Sequence, residues 1–505
     1  MTSVKNLRYI LRECLVITCL ASFFLCITLS PCFSYDLKDK VKEFTLKNGL
    51  KVLIVERHAS PTVSLYISHE TGAVNEGDGH TGTAHIMEHM MFKGTETIGT
   101  KNFKEEERIL QKIHDVGDAL DTELMKGESV NGQKIKDLRK QLETLQREAG
   151  RWSIPGEIDR MYTENGGGDM NAFTGQDLTS YHVSLPSNRI ELWARIESDR
   201  MANPVFREFY SERNVVMEER KQTVESNPGR KLMEQFLAAA FMVHPYRRPV
   251  LGWAPDMRFL NIDYTKKFFR TYYAPNNTTI AVVGDVSPNR TMKIIKHYFG
   301  RIPSQEIPAR RITKEPIQSG ERRVKLVSDA SPRLIIGYHK PTLPSFDDYV
   351  FDVIDTILSE GRTSRLFKAL VEKGIAVGVN TANGFPGARY PNLFVIFAQP
   401  VSPHTCGELE EIIYKQLDLL KTQPVKPEEL EKAKNQLKAD ILRGISTNSG
   451  LASMLSYYEA VAGDWQYITK FPDLLERVTP GDIMVAAEQY LEPRNRTVAE
   501  LVRKQ

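Results

Sequence analysis

Phe44 to Glu56 and Thr62 to Thr71 alternate apolar and polar residues around Asn48-Gly49, the pattern of half-buried strands joined in a hairpin. The pattern restarts at Arg323 to Val327 and Arg333 to Lys340. Stretches with apolar residues at helical spacing follow each set, Arg189 to Met201 and Glu208 to Val224 in the first half and Pro427 to Arg443 in the second. Strands followed by helices, twice over, predict an α+β fold whose antiparallel sheets carry helices packed on one side.

An internal repeat supports the doubling. Asp263 to Val283 reads DYTKKFFRTYYAPNNTTIAVV and Pro480 to Val502 reads PGDIMVAAEQYLEPRNRTVAELV, so Tyr272, Pro275 and Thr279 fall opposite Tyr490, Pro493 and Thr497 at a constant offset of 218. Both copies read as a helix, a proline-containing turn and a terminal strand. A repeat this long means duplicated domains, since solenoid units are several times shorter. Two homologous α+β domains are therefore expected, over residues 36–300 and 301–505. One segment, 104–155, interrupts the first: Ile109, Ile113, Val116 and Leu120 share one face and Ile135, Leu138, Leu142 and Leu145 another, with Gly127 to Gly132 between them. This predicts an inserted helical hairpin, either a solvated structural addition or an arm that docks a partner or gates substrate.

The chain of 505 residues is too long for a single core, and 41% apolar with 26% charged residues is an ordinary globular composition. A net charge of +3 gives no reason to expect a nucleic-acid partner. The first 35 residues stand apart. Lys5, Arg8 and Arg12 precede an uncharged run from Cys14 to Phe33, the layout of an export signal. Residues 1–35 are read as a signal peptide cut near Ser34, or as an N-terminal anchor, since a run of about 20 residues can also stay in a membrane. The protein is thus expected to be exported, periplasmic or membrane-anchored facing the periplasm, and to meet membrane only through this segment. Four of its five cysteines lie in the leader, so Cys406 has no partner for an intramolecular disulfide.

The strongest chemical signal is Gly82 to Thr95, GTAHIMEHMMFKGT. On a helix His85 and His89 are one turn apart and project from one face, where two imidazoles can hold one zinc ion. Glu88 lies beside them, placed to act as general base toward an attacking water. Two surface histidines beside a glutamate would need no metal. Ile86, Met87, Met90 and Met91, however, imply a half-buried helix, in which ionisable groups need a partner. The order H-x-x-E-H is that of the inverted zinc peptidase motif. A catalytic zinc site takes three protein ligands. The best candidate for the third is Glu219 in the helical stretch Glu212 to Arg220, with Glu212, seven residues earlier on the same face, placed to support a ligand histidine.

With these residues in view, the chain resembles the pitrilysin, insulinase and mitochondrial processing peptidase family of zinc metallopeptidases. The likeness runs over about residues 42–500 and includes Gly167 to Thr174, Asp177 to Tyr181, His244-Pro245-Tyr246 and Ser364 to Phe367. The resemblance implies α+β domains forming a half-chamber around a peptide substrate, one zinc ion per chain, and a second domain without metal. It also implies that Asn171, Ala172, Phe173 and Thr174 form an edge strand beside the metal, to which extended substrate can add.

Two features depart from the family. The interval from His89 to Glu219 is 130 residues where fewer than eighty are usual, and the helical insertion accounts for the excess. The arginine and tyrosine that hold the substrate carbonyl in active single-chain members are matched here by Val371 and Val377. Such donors can contribute several kcal/mol to catalysis. Their loss implies a related partner subunit that supplies them, in a homo- or heterodimer. The expected function is therefore zinc-dependent endopeptidase; the rival is a non-catalytic assembly or binding subunit with the same fold.

Overall fold

The computed structural model describes residues 33–309 and 312–504. The segment 1–35, expected to be an export signal or anchor, lies outside the described residues apart from 33–35. Phe33–Lys40 form a short helix. Val41 onward forms one compact unit built on two sheets. Among the described residues no helix is long and apolar enough to cross a membrane.

The first sheet holds β1 (Val41–Thr45), β2 (Lys51–Glu56), β3 (Thr62–His69), β4 (Gly168–Thr174), β5 (Thr179–Pro186) and β6 (Thr278–Gly284), in the order β1-β2-β6-β3-β5-β4. The second holds β7 (Arg322–Ser328), β8 (Arg333–Lys340), β9 (Ala376–Phe385), β10 (Asn392–Pro400) and β11 (Arg496–Arg503), in the order β7-β11-β8-β10-β9. Without β1 the two orders are the same: first strand, last, second, fourth, third. In each sheet the first and last strands run parallel and the other pairs antiparallel. The register repeats as well, since Thr279 opposes Lys51 as Thr497 opposes Arg322.

The helices that matter for the site are α1 (Thr83–Met90), α2 (Phe103–Leu124), α3 (Gly132–Ala149), α4 (Phe209–Arg220), α5 (Pro228–Ala240), α6 (Ile262–Tyr272), α7 (Phe346–Ser359) and α8 (Asn448–Ala462). α2 and α3 pack on each other as the hairpin of the insertion. In each half the helices of that half cover one sheet face. Trp193 and Phe299 meet Val63, Leu65 and Ile67 in the first, and α7 meets Leu334, Ile336 and Tyr338 in the second.

The opposite face of each sheet is covered by a helix from the other half. α5 brings Leu232 and Phe236 against Ile335, Val395 and Leu501 of the second sheet. A Cβ on Gly337 would stand 2.5 Å from the Phe236 ring, so only glycine admits this approach. Reciprocally, α8 lies across β3 and β6, where Tyr66 Oη and Ser449 Oγ are 2.8 Å apart and Lys51 pairs with Glu459. Covering both faces explains why β6, TTIAVVG, is buried throughout and lacks the alternation of a one-sided strand.

Candidate metal centre

α1 is preceded by Gly82, whose φ of 91° suits glycine, and the first amides are fixed by a residue the motif does not contain. The Gly82 and Ala84 N–H groups donate to the two oxygens of Glu76 at 2.9 and 2.8 Å. Glu76 is buried, and that burial pushes its carboxyl up to about 8 despite the two amide donors and the nearby Arg248. It sets the position of the helix carrying His85, Glu88 and His89. Sequence reading missed it because an isolated acid seven residues before a helix carries no motif.

His85 and His89 lie together on one face of α1, ring centroids 4.7 Å apart. α4 packs alongside and brings Glu219 Oε2 to 3.8 Å from His85 Nε2 and 3.7 Å from His89 Nε2. One ligand atom from each of the three lies within 4.8 Å of the others. Ligand bonds of about 2 Å to one zinc ion leave roughly 3–4 Å between ligand atoms, so the set fits.

The hydrogen bonding at His89 fits too. His89 Nδ1 stands 2.8 Å from Glu212 Oε1, and Lys93 Nζ is 2.6 Å from Glu212 Oε2. The hydrogen bond from His89 draws Glu212 down to about 2 against its burial, with Lys93 adding to the effect. A carboxylate there places the His89 proton on Nδ1 and leaves Nε2 free as a ligand. Burial alone would lower His89, but the Glu212 hydrogen bond and the charges of Glu212, Glu88 and Glu219 raise it instead. His85 has no such partner; burial, with the charge of His89, pushes it down to about 3, so it is neutral, as a ligand must be.

Glu88 is not part of this triangle. Its Oε2 accepts from Thr174 Oγ1 at 2.6 Å. Burial raises its carboxyl and Glu219 adds to that, while the Thr174 hydrogen bond and His89 hold it back. A raised carboxyl suits a group that must take and return a proton near neutral pH.

Thr174 is the last residue of β4, the outer strand of the first sheet. Asn171, Ala172, Phe173 and Thr174 pair with His182, Tyr181, Ser180 and Thr179 on one side only. Asn171 and Phe173 are exposed, Phe173 at 42%. The hydroxyl of Thr174 is engaged by Glu88, a contact the edge-strand reading of the sequence did not include. A cavity of about 350 Å³ opens beside α1, lined by Glu88, His89, Phe92, Lys93, Ile154 and Glu212. In the second half Val371 is packed against the core, and Val377, 62% exposed, lies on the outer strand β9. Neither side chain offers a hydrogen-bond donor.

Comparison with known families bears on this arrangement. Residues 51–115 and 155–253 match the model for Insulinase (Peptidase family M16), and residues 260–437 match that for the Peptidase M16 inactive domain. The chain belongs to the insulinase, or M16, peptidase family. The unmatched gap, 116–154, falls within the helical insertion. The zinc protease PqqE of Helicobacter pylori is 25% identical over 92% of this chain and 93% of its own. An uncharacterized zinc protease of Streptomyces coelicolor is 23% identical over 90% and 88%. Among solved structures, a protease from Helicobacter pylori superposes with a TM-score of 0.77 at 24% identity, over 92% of this chain and 99% of that one. The first half of the periplasmic protease PqqL from Escherichia coli gives 0.67 at 18%, over 92% of each chain. These similarities support the M16 fold of two sheets with helices.

Proposed function

We propose that the protein is an exported zinc metalloendopeptidase that hydrolyses peptides or unfolded segments. The observation that carries this reading is the convergence of His85, His89 and Glu219 around a point beside Glu88. A zinc ion held by those three side chains would polarise the substrate carbonyl and supply positive charge for the developing oxyanion. Glu88 takes the proton of the attacking water and returns it to the leaving amine, and the Thr174 hydroxyl keeps the carboxylate aimed while it does so. Substrate lies extended along the free edge of β4, where Asn171 to Thr174 supply backbone hydrogen bonds.

Val371 and Val377 leave the substrate carbonyl without side-chain donors from this chain's second half, which supports pairing with a related subunit that provides them. The periplasmic PqqL neighbour and the charge layout of residues 1–35 support an exported site of action. A non-catalytic subunit is the second reading, favoured by the match of residues 260–437 to an inactive domain. Glu88→Gln separates the two. For the peptidase, wild-type protein with its native partner cleaves unfolded peptide, and the variant loses about 100- to 10,000-fold in rate while keeping its zinc. An unchanged trace of cleavage in both proteins would leave only the binding subunit.

A further inference from the structure

A second cluster of ligand-type side chains lies where the inserted hairpin meets the body of the protein. His114 and Asp118 are one turn apart on α2, and Asp263 faces them from α6. His114 Nε2 stands 3.3 Å from Asp263 Oδ1 and 3.8 Å from Asp118 Oδ2. One ligand atom from each of the three lies within 4.8 Å of the others, the same test that His85, His89 and Glu219 meet. Both separations lie beyond the roughly 2.7–3.2 Å of a good hydrogen bond and match those between ligands sharing one ion.

The charges around the cluster are unbalanced in a way that the neighbouring pairs are not. Asp121, the next carboxylate along α2, is held by both Nη atoms of Arg213 at 2.6 and 2.9 Å. Glu106 is held by Arg207 at 2.8 and 2.9 Å. Among the described residues, no lysine or arginine lies within 4.0 Å of Asp118 or Asp263, so two carboxylates converge on a single imidazole. Asp118 has one neutral hydrogen-bond partner, the Tyr210 hydroxyl, which leaves its charge unbalanced. His114 Nδ1 is buried without a hydrogen-bond partner, so it does not fix the ring. The backbone beneath the cluster is nevertheless held in place. A Cβ on Gly117 would stand 1.9 Å from the Tyr210 ring, and Tyr210 Oη donates to the His114 carbonyl at 3.3 Å.

We propose that His114, Asp118 and Asp263 form a second divalent-cation site, distinct from the one on α1, that fastens the inserted hairpin to α6. One imidazole and two carboxylates suit zinc or another borderline first-row ion. Asp263 is 70% exposed at its side chain, so water completes the coordination and the ion exchanges readily. The ion adds a polar link between α2 and α6, whose Ile113, Val116, Ile262 and Phe268 share one apolar core. Its role is structural, since it lies outside the group formed by Glu88, His85, His89 and Glu219.

Equilibrium dialysis of chelator-stripped full-length protein against zinc tests this. Wild type is expected to bind two ions per chain, H85A/H89A one, D263N one, and H85A/H89A/D263N none. Zinc is expected to raise the melting temperature of H85A/H89A and not of the triple variant. Should H85A/H89A disturb α1, Glu219→Gln replaces it as the first-site knockout. If H85A/H89A binds no zinc, or if adding D263N leaves its binding unchanged, the second site does not exist. Loss of one ion in D263N with none lost in H85A/H89A would overturn the α1 site and leave this one standing.

Discussion

Glu212 acts on the proposed metal through His89, fixing which nitrogen carries the proton. Replacing it by glutamine keeps the size but removes the charge that draws the Nδ1 proton. Carboxylates in this position are worth about 10- to 100-fold in metal affinity. Zinc competition against a chromogenic chelator should therefore show Glu212→Gln weaker by that factor, with the fold intact by circular dichroism. Thr174→Val removes a donor that stabilises ionised Glu88, so the acid limb of the peptidase pH profile should move to higher pH. His85, Glu88 and His89 were legible in sequence because their spacing is local: three and four residues on a helix determine one face. Glu219 and Glu212 were legible through their shared face and the family likeness. Glu76 and the Thr174 hydroxyl were not, because each acts through a contact between segments that no local pattern encodes.

At the scale of elements, α1 depends on a buried acid for its first turn. The Glu76 carboxyl sits at about 8 when folded, above the ordinary 4.5, so the folded state holds a proton that the unfolded chain releases. That contribution to stability is full below about 4.5 and is lost as pH rises through about 8. Glu76→Gln keeps a neutral group at all pH values. The melting temperature of wild type minus that of the variant should thus fall between pH 5 and 8.5, and a flat difference would remove the proton from Glu76. The inserted hairpin gives a second test, because α2 approaches Tyr210 through Gly117. Gly117→Ala should destabilise the protein by about 1–3 kcal/mol, read by urea unfolding. Helical spacing made the hairpin legible, but a face of Ile109, Ile113 and Val116 does not say which element it will meet.

At the scale of the molecule, each sheet is closed by a helix from the other half. The repeated strand order follows the 218-residue offset seen in the sequence, and that much was legible. The exchange of α5 and α8 was not, since periodicity shows that a face is apolar and leaves its target open. A fragment ending at residue 300 would expose the face of β3 and β6 that α8 covers. It should bind a hydrophobic dye and melt without a sharp transition, while the full chain melts cooperatively. The proposed centre also depends on long-range packing, since α4 must lie on α1 to bring Glu219 to the two imidazoles. Anomalous diffraction at the zinc edge from zinc-loaded crystals of the full chain tests that claim most directly. A peak within bonding distance of His85 Nε2, His89 Nε2 and the Glu219 carboxylate is the predicted result, and its absence there from fully loaded protein would contradict the account.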